Sequence, residues 1–264
     1  MYKRAEIILK VEKVNLTYDR PILRDINFEV HNITRPNIQQ GQVVSLIGRS
    51  GIGKTQLFKI LAGLLQPQSG TVKIGDDLHP VVAGEVGVVP QNYILFNHRS
   101  ILDNLNLGLR GSVDKLSAKD KKDLINGYAD KFGLKEQLKK YPMQLSGGQR
   151  QRVSIIQQIL TGNKFILLDE PCSGLDPVIK DKVVELLVSI SLLGELNTLV
   201  IISHDIENAL AISDTAYILA KQEHKEGATI TETIDLIEMG FCWEPEIRKN
   251  KNFQELVNQM KFRM

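Results

Sequence analysis

The sequence has little that could cross-link a fold or carry it through a membrane. Only two cysteines, Cys172 and Cys242, occur in 264 residues. They are too few for a disulfide framework and lack the spacing of a metal site, which points to a reducing cytoplasm. No apolar run approaches the ~18 residues that span a bilayer, and the opening MYKRAEIILKVEKVNLTY breaks its short apolar stretch with Lys and Glu. A soluble, unexported chain is expected. Charge of one sign is also missing: 33 Lys plus Arg against 31 Asp plus Glu leave a formal net charge of +2. The positive residues are scattered, so no nucleic-acid partner is expected.

What is present is an alternation of short Val/Ile/Leu-rich runs with helical patterns. QVVSLIG, VGVVP, KFILLDE and TLVIIS read as central parallel strands covered on both faces. KTQLFKILAGLL, SIIQQIL, DKVVELLVSISLL and DIENALAI read as helices. The fold class is therefore α/β with a mostly parallel sheet. The first ~40 residues alternate instead like antiparallel strands, joined by TVKIGD in a β lobe. The expected organisation is a single domain over residues 1–264. Residues 1–99 and 142–240 form the α/β core with its β lobe, 100–141 a polar, Lys-rich helical insertion, and 241–264 a C-terminal tail. In that tail Phe253, Leu256, Val257 and Met260 share one helical face. The face either packs on its own domain or binds a partner.

GRSGIGKT, comprising Gly48, Arg49, Ser50, Gly51, Ile52, Gly53, Lys54 and Thr55, follows a strand and opens a helix. It fits the phosphate-loop pattern G-x-x-x-x-G-K-[ST] in the context that pattern requires. Glycines let successive N–H groups curl around phosphate oxygens, and the helix N-terminus adds positive partial charge. Lys54 would reach the β- and γ-phosphates of ATP, and the Thr55 hydroxyl would take a magnesium position. A chance glycine turn is the plain alternative.

FILLDE ends a buried strand on Asp169 and Glu170, at the sheet edge where α/β sites lie. Asp169 suits water-mediated Mg2+ binding, and Glu170 suits a general base for attacking water. Helix capping is the competing role. Gln91 and His204 end two further strands: Gln91 could hold Mg2+ or orient water, and His204 could donate to the γ-phosphate. Either could instead be an ordinary turn residue. Tyr18, read as part of a strand, could stack on adenine or simply pack.

QLSGGQRQR poses a separate question, because two glycines open what otherwise reads as a helix. Gly and Ser at a helix start leave N–H groups open to an anion. A phosphate loop already stands far upstream, so the anion bound here needs another source.

Taken together these segments resemble the ATP-binding cassettes of ABC transporters. GRSGIGKT matches Walker A, Gln91 the Q-loop, LSGGQ the signature, FILLDE Walker B, SGLD the D-loop, His204 the switch histidine and Tyr18 the A-loop aromatic. The resemblance implies ATP and Mg2+ as cofactors, with Thr55, Gln91 and Asp169 at the metal and Glu170, His204 and Gln91 as catalytic residues. It also implies a second, identical cassette. Ser146, Gly147, Gly148 and Gln149 of one copy would cap the nucleotide held by the other, with Ser173 to Asp176 tuning hydrolysis across the interface. QNYILFNHRSILDNL and ISHDIENALAISD are similar to single-cassette importer subunits of the nitrate, sulfonate and taurine or amino-acid type. The implied partners are a membrane permease, contacted around Phe96 to Arg99, and a periplasmic or surface solute-binding protein, with the cassette peripheral on the inner face of the membrane. A solvated loop is the plainer reading of 96–99. A non-transport ABC ATPase, an export-type cassette and a P-loop kinase are the alternatives; the first lacks its usual coiled coil or second cassette here, and the last gives no reason for LSGGQ. Two departures stand out: about seven extra residues near 31–37, expected to lengthen a hairpin, and Cys172 after Pro171.

Overall fold

The computed structural model describes residues 2–34, 41–112, 116–173, 180, 183–185, 187–188, 198–242, 244 and 246–263. In chain order the elements are β1 (Lys3–Thr17), β2 (Pro21–Thr34), β3 (Gln42–Ile47), α1 (Lys54–Leu61), β4 (Ser69–Ile74), β5 (His79–Pro80) and β6 (Gly87–Val89). Then follow α2 (Ile101–Ser112), α3 (Ala118–Lys131), α4 (Gly147–Ile159), β7 (Phe165–Asp169) and β8 (Thr198–Ser203). The chain continues through α5 (Ile206–Ile212), β9 (Thr215–Lys221), β10 (Ala228–Asp235) and α6 (Lys251–Arg263). The helix expected in DKVVELLVSISLL falls largely outside the described residues, as do Trp243, Gly174 to Asp176 and residues 35–40.

Among the described residues ten strands join one sheet in the order β5-β4-β1-β2-β10-β9-β3-β8-β7-β6. The last five are parallel. Of the four runs read as central parallel strands, β3, β8 and β7 are central, whereas VGVVP, as the short β6 paired with β7, is parallel but stands at the edge of the sheet. At the other side β1 pairs antiparallel with both β2 and β4, as the alternation predicts. Pairing of β1 with β2 extends to Lys3 opposite Thr34, so residues 31–34 lengthen this ribbon.

The parallel strands are apolar on both faces because both are covered. Val200 and Ile202 of β8 join a core with Leu46, Leu57, Leu61, Val14 and Ile26. Their neighbours Leu199 and Ile201 point the other way, into a core with Leu105, Leu109, Ile125, Val153 and Ile156. That is the period of two of a pleated strand, realised twice. The second core takes Ile101, Leu105 and Leu109 from α2 and Val153, Ile155 and Ile156 from α4, and from α3 it takes Ile125 and Ala129. Among the described residues no helix is long and apolar enough to cross a membrane.

The tail helix α6 packs on its own domain. Phe253, Val257 and Met260 are fully buried against Ile47, Leu210 and Ile234, and Phe241 meets Phe253 edge-on at 5.8 Å. Leu256 is only partly buried at the margin of that contact. The spacing of the three buried positions is one helical stripe.

Candidate active site

Four strand ends, Ile47, Val89, Asp169 and Ser203, lie along one edge of the sheet because β3, β8, β7 and β6 are consecutive and parallel. Each is followed by one of the motifs read from the sequence. The phosphate loop leaves β3 with Gly48 N–H donating to the Ser203 carbonyl at 3.2 Å. A Cβ on Gly48 would stand 2.7 Å from the Leu219 carbonyl oxygen, so no other residue fits there. Gly53 caps α1 at φ 114, a backbone conformation other residues avoid. These two glycines let the loop pass close to Leu219 and turn into the start of α1.

Lys54 is buried at the first position of α1. Its Nζ donates to the carbonyls of Gly48 at 2.7 Å and Arg49 at 3.1 Å, and lies 3.4 Å from Glu170 Oε1. The other oxygen of Glu170, Oε2, is 2.7 Å from His204 Nδ1 and accepts from the His204 N–H at 3.3 Å and Ser203 Oγ at 3.4 Å. Glu170 has φ 50, the left-handed region, and its N–H donates to the Ile202 carbonyl at 2.8 Å. The chain thus turns sharply as it leaves β7, which swings the carboxylate toward Lys54 and His204. Burial, with the negative charge of Glu170 beside it, pushes the Asp169 carboxyl above the usual carboxylate range, against the pull of Lys54.

A cleft of about 510 Å³ collects Tyr18, Ser50, Gly51, Gly53, Lys54, Thr55, Gln91, Asp169, Glu170 and His204. Gly48 and Arg49 do not line the cleft but supply carbonyls to Lys54, while Ile52 packs against the core toward the β lobe. Tyr18 lies in the turn just after β1, not within a strand. It is 56% exposed, which does not suit a packing role, and its hydroxyl donates to Gln56 Oε1 at 3.2 Å. The sequence reading missed Ile22 and Gln56 on the cleft wall; neither carries a signal beyond proximity to Tyr18 and Thr55. Ser173, expected to act across an interface, lines this same cleft and accepts from Gln91 Nε2 at 3.3 Å.

Ser146 to Gln149 do not line the cleft. They open α4 as a capping box: Ser146 Oγ accepts from the Gln149 N–H at 3.3 Å, and Gln149 Oε1 accepts from the Ser146 N–H at 3.0 Å. S-x-x-Q before an apolar run is a helix-start signal, and this part of the motif therefore serves the chain's own fold. A Cβ on Gly147, by contrast, would meet nothing within 4 Å. Among the described residues nothing explains its smallness.

Among the described residues no three His, Cys, Asp or Glu side chains cluster to form a metal cage. The cleft offers instead a hydroxyl (Thr55), an amide oxygen (Gln91) and a carboxylate (Asp169). This is a sparse, hard-oxygen set, which fits Mg2+ that shares its coordination with phosphates and water.

A family model described as ABC transporter matches residues 31–173. The thiamine import ATP-binding protein ThiQ of Aliivibrio fischeri is 33% identical over 199 residues, 74% of this chain and 84% of the relative. The spermidine/putrescine import ATP-binding protein PotA of Fusobacterium nucleatum subsp. nucleatum is 35% identical over 218 residues, 80% of this chain but 54% of that relative. An ABC transporter solved in an inward-facing conformation superposes with a TM-score of 0.67 at 28% identity, over 84% of this chain and 83% of its own. The chain belongs to the ABC transporter family, as one of its ATPase subunits.

Proposed function

We propose that this subunit binds and hydrolyses ATP to drive import of a small solute through a separate membrane permease. The observation that carries the chemistry is Glu170, held between Lys54 and His204 on one edge of the cleft. In this reading the loop N–H groups and Lys54 hold the β- and γ-phosphates, and Tyr18 stacks on the adenine. Glu170 takes the proton of the attacking water, while His204 and Gln91 orient the γ-phosphate and the water. Mg2+, held by Thr55, Gln91 and Asp169, would neutralise phosphate charge.

The helix start at Ser146 to Gln149 meets the nucleotide of a second copy, which answers the question raised by QLSGGQRQR. Gly147 supports this, since the space in front of it is open and a backbone N–H there can approach an anion closely. ATP then joins two copies, and loss of the γ-phosphate lets them part.

The permease meets the segment after Gln91. Ile94, Phe96, Tyr141 and Met143 are large apolar side chains exposed by 72%, 49%, 49% and 82%; Ile94 and Met143 line a hollow of about 300 Å³ together with Tyr93 and Arg150. Such a patch is unusual for a solvated loop and suits a docking surface. Phe96 is held there by Asn104, whose side chain accepts from the Phe96 N–H at 2.8 Å and donates to its carbonyl at 3.1 Å. Import, rather than export, is supported by the relatives named above, and it places the subunit on the cytoplasmic face of the membrane with a solute-binding protein on the other side. Those relatives are named for thiamine import and for spermidine/putrescine import at nearly equal identity, so the cargo is to be read from the solute-binding protein.

Affinity purification of the tagged chain from detergent-solubilised membranes tests the reading. Recovery of a permease with a solute-binding protein supports it, and that receptor's ligand names the cargo. Recovery of a permease without a receptor favours export, and ATPase activity stimulated by DNA or ribosomes overturns the transport reading.

A further inference from the structure

The residue after Glu170 is tied to an element outside the cleft. The Pro171 carbonyl accepts from Gln151 Nε2, in the second turn of α4, at 2.6 Å. The Tyr93 hydroxyl donates to the same oxygen at 3.5 Å. Gln151 is completely buried, and its Oε1 has no partner among the described residues. A buried amide satisfied on only one side costs stability relative to an apolar chain of the same length. What it supplies in return is the N–H on Pro171.

That bond matters because of where Pro171 stands. Glu170 holds a left-handed backbone at φ 50, which a residue with a Cβ adopts only when its surroundings enforce it. On one side its N–H is fastened to the Ile202 carbonyl of β8. On the other side the ring of Pro171 fixes the next φ, and the Pro171 carbonyl is fastened to α4 through Gln151. The peptide carrying Glu170 is thus anchored at both ends.

We propose that Gln151 is a positioning residue for the Glu170 carboxylate, acting through the Pro171 carbonyl. The proposal rests on the reading of Glu170 as the base. Because Gln151 sits two residues after Gln149, the placement of Glu170 depends on how α4 is seated. Releasing the bond lets the strained turn relax and carries the carboxylate out of line with the water.

The test uses the full chain and three readings: ATP affinity, thermal midpoint, and turnover at saturating ATP. Q151M keeps the length, removes the donor and relieves the unpaired Oε1. The expected result is an unchanged affinity and midpoint with turnover lowered about tenfold to a hundredfold, the range for a catalytic group displaced by up to an ångström. Q151H, whose ring N–H can occupy the place of the amide donor, is expected to regain most of the rate. Wild-type turnover in Q151M overturns the proposal, as does a rate that falls only in step with the midpoint. Should Q151M not fold, the same readings on Q151L, which also lacks the donor, decide the matter. A wild-type chain that binds ATP without hydrolysing it, even with its permease, overturns the reading of Glu170 itself and is seen before any variant is made.

Discussion

Lys54 Nζ lies 3.4 Å from Glu170 Oε1, with both side chains nearly buried. One carboxylate therefore faces the cation of the phosphate loop on one oxygen and His204 on the other. Glu170→Gln keeps the shape of this contact and removes the base. We expect ATP binding to persist, turnover to fall about 10²- to 10⁴-fold, and an ATP-dependent dimer to accumulate in size-exclusion chromatography. Rapid turnover by this variant removes Glu170 as the base.

Lys54→Ala takes away the buried ammonium and leaves Glu170 without its cationic neighbour. Loss of charge-assisted contacts to phosphate should weaken nucleotide binding by at least about tenfold, read by titration with a fluorescent ATP analogue. Unchanged affinity contradicts the phosphate-loop assignment.

Ser146→Arg places bulk and charge at the start of α4, outside the cleft of its own chain. Nucleotide binding by the monomer should be spared, while the dimer trapped in a Glu170→Gln background should disappear. The substitution also removes a helix cap, a loss of about 1 kcal/mol. Ser146→Ala in the same background shares that loss without the bulk, and should retain more of the dimer. A trapped dimer in the arginine variant defeats the cross-interface reading.

Phe253 anchors α6 from a fully buried position. Phe253→Ala should destabilise the fold by about 3–5 kcal/mol, measured by urea denaturation, with the cleft residues untouched. A change below about 1 kcal/mol would mean that the tail is not part of the cooperative unit.

Cys172 is buried, and burial pushes its thiol up to about 11, with the charge of Asp205 adding to the effect. At pH 8 the thiolate is then about one part in a thousand, so alkylation of the native chain by iodoacetamide should spare Cys172 and proceed on unfolding. Because the folded pKa is raised, the thiol's contribution to stability is complete below its ordinary value near 9 and fades as pH rises toward 11. Rapid native labelling of Cys172 at pH 8 contradicts its buried placement.

The strands β3, β7 and β8 were legible because a parallel strand covered on both faces leaves an unbroken apolar run, and β7 and β8 also because Glu170 and His204 follow them directly. The phosphate loop was legible because Gly48 and Gly53 answer local constraints: one a close backbone approach, the other a left-handed cap. What was hidden depends on distant pairs. Nothing near Gln151 in the sequence announces the Pro171 carbonyl, and nothing near Ile22 announces the cleft. Tyr18 was displaced from strand to turn because β1 stops at Thr17, a boundary that alternation alone does not mark. The local capping role of Ser146 and Gln149 was overlooked because their spacing fits two purposes at once.

That double fit has a consequence for how a single hydroxyl is shared. In the capping box Ser146 Oγ is engaged as an acceptor, through a lone pair turned inward to the Gln149 N–H. A serine hydroxyl carries two lone pairs but only one proton, and the cap leaves the proton uncommitted. An oxygen of an incoming phosphate needs a donor, so the two demands fall on different parts of the same group and do not compete. Threonine at this position would keep both, whereas asparagine could hold the helix start but would offer its N–H from a longer, planar arm. Under the proposed cross-interface reading, helix-start propensity and anion recognition should therefore separate in a Ser146→Asn chain, because that reading draws both from the one hydroxyl group of the present serine.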